Sequence, residues 1–101
     1  RVSGFVEWCR SRGLPDPVAE YRFRPPRRWR FDYCWPEHHV ALEEQGGLFS
    51  GGRHTRGAAL LHEHEKLNAA AVDGYRVLYC TPQTIRSREM ALALGALLGH
   101  A

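Results

Sequence analysis

The feature that most constrains this chain is a pair of short runs around a tight break, the first of them alternating large apolar and polar residues. Residues 29–35 read W-R-F-D-Y-C-W and residues 39–44 read H-V-A-L-E-E, with "PEH" between them. A period of two puts successive side chains on opposite faces of a strand, whereas a helix of this sequence would scatter its aromatics around the axis. The break is led by proline and returns the chain, so the two runs are expected to pair as antiparallel strands. Asp32, Glu43 and Glu44 lie on them among tryptophan, phenylalanine, valine and leucine. A carboxylate buried without a partner is costly, so something must neutralise these acids.

The rest of the pattern fits around that pair. Ser3 to Arg12 reads as a short helix with Phe5, Trp8 and Cys9 on its apolar side and Gly13 ending it. "LPDP" forces an extended connection, Val18 to Phe23 reads as a first strand, and "RPPRR" cannot be a central strand. "QGGLFSGGRHTRG" (residues 45–57) holds five glycines and no periodicity, which makes it a loop. Ala58 to Val72 turns helical with Leu60, Leu61, Leu67, Ala71 and Val72 as its apolar positions, and Asp73-Gly74 stops it. Tyr75 to Cys80 is a further strand, Pro82 opens a helical tail, and "EMALALGALL" is the last helix. The expected order is α-β-β-β-α-β-α, an α/β (α+β) class with a central mixed sheet flanked by helices. A length of 101 residues, 44% of them hydrophobic, supports one domain (residues 1–101) with one core.

Net charge is +3 with a pI near 9.0, a mild leaning toward polyanions. The kind of base says more: every basic residue except Lys66 is arginine, and "RFRPPRRWR" gathers Arg22, Arg24, Arg27, Arg28 and Arg30. Guanidinium forks match phosphate bidentately, although a codon bias toward arginine yields the same composition. Cys9, Cys34 and Cys80 are odd in number and have no C-x-x-C spacing, which excludes a zinc ribbon and a disulfide framework. They read as free buried thiols of a reducing compartment, hence a cytoplasmic protein. No apolar run approaches the roughly 20 residues of a membrane span, and no charged-then-apolar leader is present. "HEHE" at His62 to Glu65 is not a zinc motif, because histidines two apart on a helix face different ways.

Asp32 and Glu43 are eleven residues apart, on strands whose antiparallel pairing brings them within side-chain reach. Glu43 and Gln45 are two apart and share a face, while Glu44 points away. Crowded carboxylates repel unless a proton or cation sits between them. Oxygen-rich acidic clusters suit Mg²⁺, with Mn²⁺ as a substitute.

An aspartate and a D…E-x-(K/Q/E) pattern on the second and third strands of such a core resembles the PD-(D/E)XK nuclease superfamily. Within it, "EYRFRPPRRWRFDYCWPEHHVALEEQGG", "GGRHTRG" and "EKLNAAAVDGYRVLYCT" look like the small phage and bacterial endonucleases related to Holliday junction resolvases. The resemblance covers nearly the whole chain and implies a restriction-endonuclease-like αβββαβ core followed by a C-terminal helix. It implies Asp32 and Glu43 as metal ligands, with Gln45 where most members have lysine. Glutamine cannot deprotonate water; it can orient a water or lend a backbone carbonyl to the metal. Lys66 is placed to supply the missing charge, and Glu20, or else Glu7, would be an additional carboxylate. Arg27, Arg28, Arg30, Arg53, His54 and Arg56 would contact the DNA backbone. The implied activity is Mg²⁺-dependent hydrolysis of branched DNA by a homodimer, in a host cytoplasm if phage-encoded. A mismatch-nicking or restriction-type nuclease, and a DNA-binding module that has lost catalysis, are the alternatives.

Overall fold

The structure is a computed structural model that describes residues 4–45 and 56–99. Among the described residues, three helices and a four-stranded mixed sheet make an α+β architecture. Helix α1 (Phe5–Ser11) leads to strands β1 (Val18–Tyr21), β2 (Phe31–Trp35) and β3 (Val40–Glu44), with one 3₁₀ turn, Pro36–His38, between β2 and β3. Helix α2 (Arg56–Val72), strand β4 (Arg76–Cys80) and helix α3 (Arg88–Leu98) follow. The sheet order is β1-β2-β3-β4; the first two pairings are antiparallel and β3–β4 is parallel. A parallel neighbour needs a crossover, and α2 provides it.

The core has two clusters, divided for the most part by strand alternation; Phe31 is the exception, since it shares the parity of Tyr33 and Trp35 yet lies in the other cluster. Tyr33, Trp35, Val40, Leu42 and Cys80 face α1 and α3, where they meet Phe5, Cys9, Met90, Leu94 and Leu98. Phe31, Cys34 and Ala41 pack on the other side with Ala70 of α2, bordered by Tyr21, Phe23, Tyr75 and Val77. Trp35 is buried and its indole N–H donates to the Pro15 carbonyl at 2.8 Å, so the wide ring leaves no polar atom stranded. The three cysteines are free and buried, as their spacing suggested. Among the described residues no helix is long and apolar enough to cross a membrane.

The elements match the expected order, with shorter strands than the alternation implied. The first strand ends at Tyr21 rather than Phe23, and the second starts at Phe31 rather than Trp29. Phe23 and Trp29 instead stack on one another across the arginine turn, at 6.1 Å between ring centroids. Helix α1 is preceded by Gly4, whose backbone is left-handed (φ 82) and makes no side-chain cap; the expected start at Ser3 lies outside the described residues. Helix α3 is capped by Ser87, whose hydroxyl accepts from the Met90 N–H at 3.0 Å. Gly74, at φ 86, ends α2 and lets Tyr75 N–H close on the Ala70 carbonyl at 2.9 Å.

The apolar stripe assigned to α2 is the main correction. Leu61 is 67% exposed, Val72 is 78% exposed, and Leu60 and Ala71 are exposed as well. The buried residues are the small ones, Ala69 and Ala70, because only the last turns of α2 lie close on the sheet. Helix α3 uses Met90, Leu94 and Leu98 in its own core, leaving Leu92 as its exposed large side chain.

Candidate functional site

The site is built where β2 and β3 part. Their pairing runs through Trp35–Val40, Cys34–Ala41 and Tyr33–Leu42 and stops there. Beyond it the Phe31 end of β2 stays with β1, through Tyr21–Phe31, while Glu43 and Glu44 stay with β4, opposite Tyr79 and Cys80. A ladder that stops leaves backbone N–H groups needing acceptors. Side chains supply them: Asp32 N–H donates to Glu43 Oε2 at 3.0 Å, and Glu44 N–H donates to Asp32 Oδ2 at 2.7 Å. Each strand thus holds the carboxylate of the other, and the two acids are fixed at the mouth of the fork. Short bonds from backbone N–H to a carboxylate are among the stronger hydrogen bonds in proteins.

The third member comes from α2. Lys66 Nζ donates to Glu43 Oε1, completing a buried ion pair whose side chains are 12% and 8% exposed. The ammonium also lies over the Phe31 ring, 5.6 Å from its centroid. Burial pushes the Glu43 carboxyl above its usual range, while Lys66 and then the Asp32 N–H work against that rise. The acids that the sequence placed among apolar residues therefore have partners within the fold: a lysine and two backbone N–H groups.

The other sequence-derived candidates fall around this centre at differing distances. Glu20 lies on β1 between the pairs Ala19–Tyr33 and Tyr21–Phe31, so the register sets it across from Asp32. The φ of Glu20 is 57, and its carboxylate meets the Arg30 guanidinium at 3.1 Å. A left-handed non-glycine residue costs roughly 1–3 kcal/mol, which marks this point of the edge strand. Glu7 is exposed on α1, the helix packed against the opposite face of the sheet from α2. Gln45 just follows β3; its N–H donates to the Cys80 carbonyl at 2.7 Å, which ties its backbone to β4.

Arg27 lies flat over Trp29, 3.7 Å from the ring centroid, and faces Glu65 of α2 at 3.6 Å. Arg28 is exposed. Arg56 begins α2, while Arg53 and His54, with most of the glycine-rich loop, lie outside the described residues.

Two contributions were not readable from spacing. By alternation Glu44 points away from the face of Glu43 and Gln45, yet its backbone N–H is what holds Asp32. The stack of Arg27 on Trp29 joins residues on either side of Arg28, and neither alternation nor helix phase signals it.

A divalent cation is chemically compatible with the fork. Its side-chain donors, Asp32 and Glu43, are oxygens, the ligand type of Mg²⁺ and Mn²⁺. Among the described residues no group of three or more His, Cys, Asp or Glu gathers as a metal cluster. A site here would draw on two carboxylates, with backbone or water oxygens for the rest. No protein-family model, curated protein or solved structure matches the chain.

Proposed function

We propose that this chain is a metal-dependent endonuclease acting on branched DNA, with a restriction-endonuclease-like core and an activity of the Holliday junction resolvase type. The observation that carries the reading is the fork itself, where Asp32, Glu43 and Lys66 are gathered at the parting of two sheet strands. Two antiparallel pairings followed by a parallel one, with a helix crossing between β3 and β4, support the same core.

Asp32 and Glu43 would hold Mg²⁺ or Mn²⁺, with the Gln45 backbone carbonyl as a further oxygen. Such an ion polarises a phosphodiester and lowers the pKa of its bound water. Lys66 offsets the charge of the buried Glu43 carboxylate and stands within reach of negative charge building on a phosphate at the fork. Gln45 orients a water rather than deprotonating it, and Glu20 adds a carboxylate from the edge strand. Arg27, Arg28, Arg30, Arg53, His54 and Arg56 position the DNA backbone, which fixes register without reading bases. Recognition by shape and symmetric cutting of two strands call for two sites, hence a two-fold homodimer.

The second reading is a DNA-binding module of the same fold without catalysis. It draws on Gln45 at the position of the usual lysine. Incubating the protein with Mg²⁺ or Mn²⁺ and labelled junction, flap, mismatched and plain duplex DNA decides among these. Cutting of the junction in preference to the others is the expected result. Preference for a mismatch or a duplex site moves the function to a nicking or restriction-type nuclease. Binding without cutting in either metal selects the non-catalytic module.

A further inference from the structure

A stack of four side chains runs from the arginine turn to the fork, and no role above uses it. Arg27 covers Trp29 at 3.7 Å; Trp29 is stacked on Phe23 at 6.1 Å with planes 16° apart; Phe23 is stacked on Phe31 at 4.3 Å and 11°. Phe31 is fully buried and carries the Lys66 ammonium on its ring. The column has a cation at each end, one half exposed and one in the site. Consecutive residues of α2 attend to both: Glu65 faces Arg27 and Lys66 pairs with Glu43.

A guanidinium stacked on an indole spends only its π face. Its N–H donors all lie in the guanidinium plane and remain available for a bidentate acceptor. The ring also removes much of the side chain's rotational freedom before any ligand arrives, which lowers the cost of binding. Glu65 is a poor final partner. At 3.6 Å it is beyond hydrogen-bond length, and the two side chains are 51% and 60% exposed, so the pair is weak and easily exchanged. A phosphodiester offers what Glu65 does not, two oxygens free to approach to hydrogen-bond distance.

We propose that Trp29 is the positioning residue that seats Arg27 for one phosphate of a DNA backbone, with Glu65 the partner that Arg27 exchanges for it. The proposal rests on the DNA reading of the site and adds to it a defined phosphate position tied, through the aromatic column, to Lys66.

The test is binding of a labelled four-way junction to the full chain, followed by fluorescence anisotropy in EDTA over a range of salt. Arg27→Ala should weaken binding and lower the salt slope by about one unit. Trp29→Leu should lose nearly as much affinity, the double variant no more than Arg27→Ala alone, and Trp29→Phe should retain binding. Glu65→Gln should tighten binding about threefold, in the range expected from releasing a weak exposed ion pair, and that gain should vanish when Arg27 is alanine. Additive losses in the double variant, or a Glu65→Gln gain that survives without Arg27, would overturn the proposal. Circular dichroism checks each fold. If Trp29→Leu does not fold, Trp29→Phe and the Glu65 comparison decide: weakened binding by Trp29→Phe, or a Glu65→Gln gain that survives without Arg27, rejects the seat. A wild-type chain that binds no DNA sinks the functional reading itself, whereas wild-type binding with an indifferent Trp29→Leu sinks only this proposal.

Discussion

Replacing Lys66 with methionine keeps most of the side chain's volume and removes the charge that faces Glu43. The carboxylate left behind is 8% exposed, so water cannot take the place of the ammonium. Breaking a buried pair by removing one partner costs about 3–5 kcal/mol. The low end applies here, because the Asp32 N–H still donates to Glu43 Oε2 and part of the solvation survives. A loss of about 3 kcal/mol is large against the roughly 5–15 kcal/mol of a typical domain, and lowers the melting temperature by about 12–24 °C at this size.

The penalty depends on pH, with a definite sign. Burial already holds the Glu43 carboxyl above its usual range, and losing Lys66 removes the chief influence that lowers it. A carboxyl whose folded pKa exceeds its unfolded one binds more protons when folded, so stability falls as pH rises from the unfolded value through the folded one. Lys66→Met should therefore be least harmful in acid and most harmful at neutral pH and above. Urea unfolding of both proteins in EDTA, followed by circular dichroism near pH 5 and near pH 8, measures the difference. Adding Glu43→Gln to Lys66→Met removes the stranded charge and should recover much of the loss. Equal stability of Lys66→Met and wild type near pH 8, or a penalty that grows toward acid, would refute the reasoning.

Asp32→Asn and Glu43→Gln should each abolish metal-dependent cleavage while junction binding in EDTA stays equal or tightens; near-wild-type cutting by either variant removes the fork from the chemistry. Gln45→Ala should slow single-turnover cleavage by about 10–100-fold, the span for lost outer-shell partners of metal sites, and less where only its backbone carbonyl matters. Burial raises the thiols of Cys9, Cys34 and Cys80 to about 12, so thiolate is scarce at neutral pH. A disulfide reagent should then modify the native protein slowly and all three cysteines at once on unfolding, whereas one rapidly modified thiol in the native state would contradict the packing. Leu94→Ala, at a fully buried position between α3 and the sheet, should cost about 2–5 kcal/mol in urea unfolding.

The sequence by itself determined which segments could be strands and helices and in what order. It placed Asp32 and Glu43 on neighbouring strands because alternation with period two is a local property, and the proline-led break between them admits few conformations. It also marked the carboxylates as needing a partner, from the cost of burying charge alone. The partner was beyond local reading. Lys66 sits 23 positions beyond Glu43, on the helix that crosses between β3 and β4. The apolar stripe of that helix was misassigned: Leu60, Leu61 and Val72 have helical spacing, yet how far a helix overlaps a sheet depends on the crossover and not on its own residues. The same reason hid the fork. That the Tyr33–Leu42 pair is the last between β2 and β3 follows from β1 holding one strand and β4 the other. In the assembled sheet the N–H groups of Asp32 and Glu44 lie beyond the last β2–β3 pair and donate to the carboxylates instead.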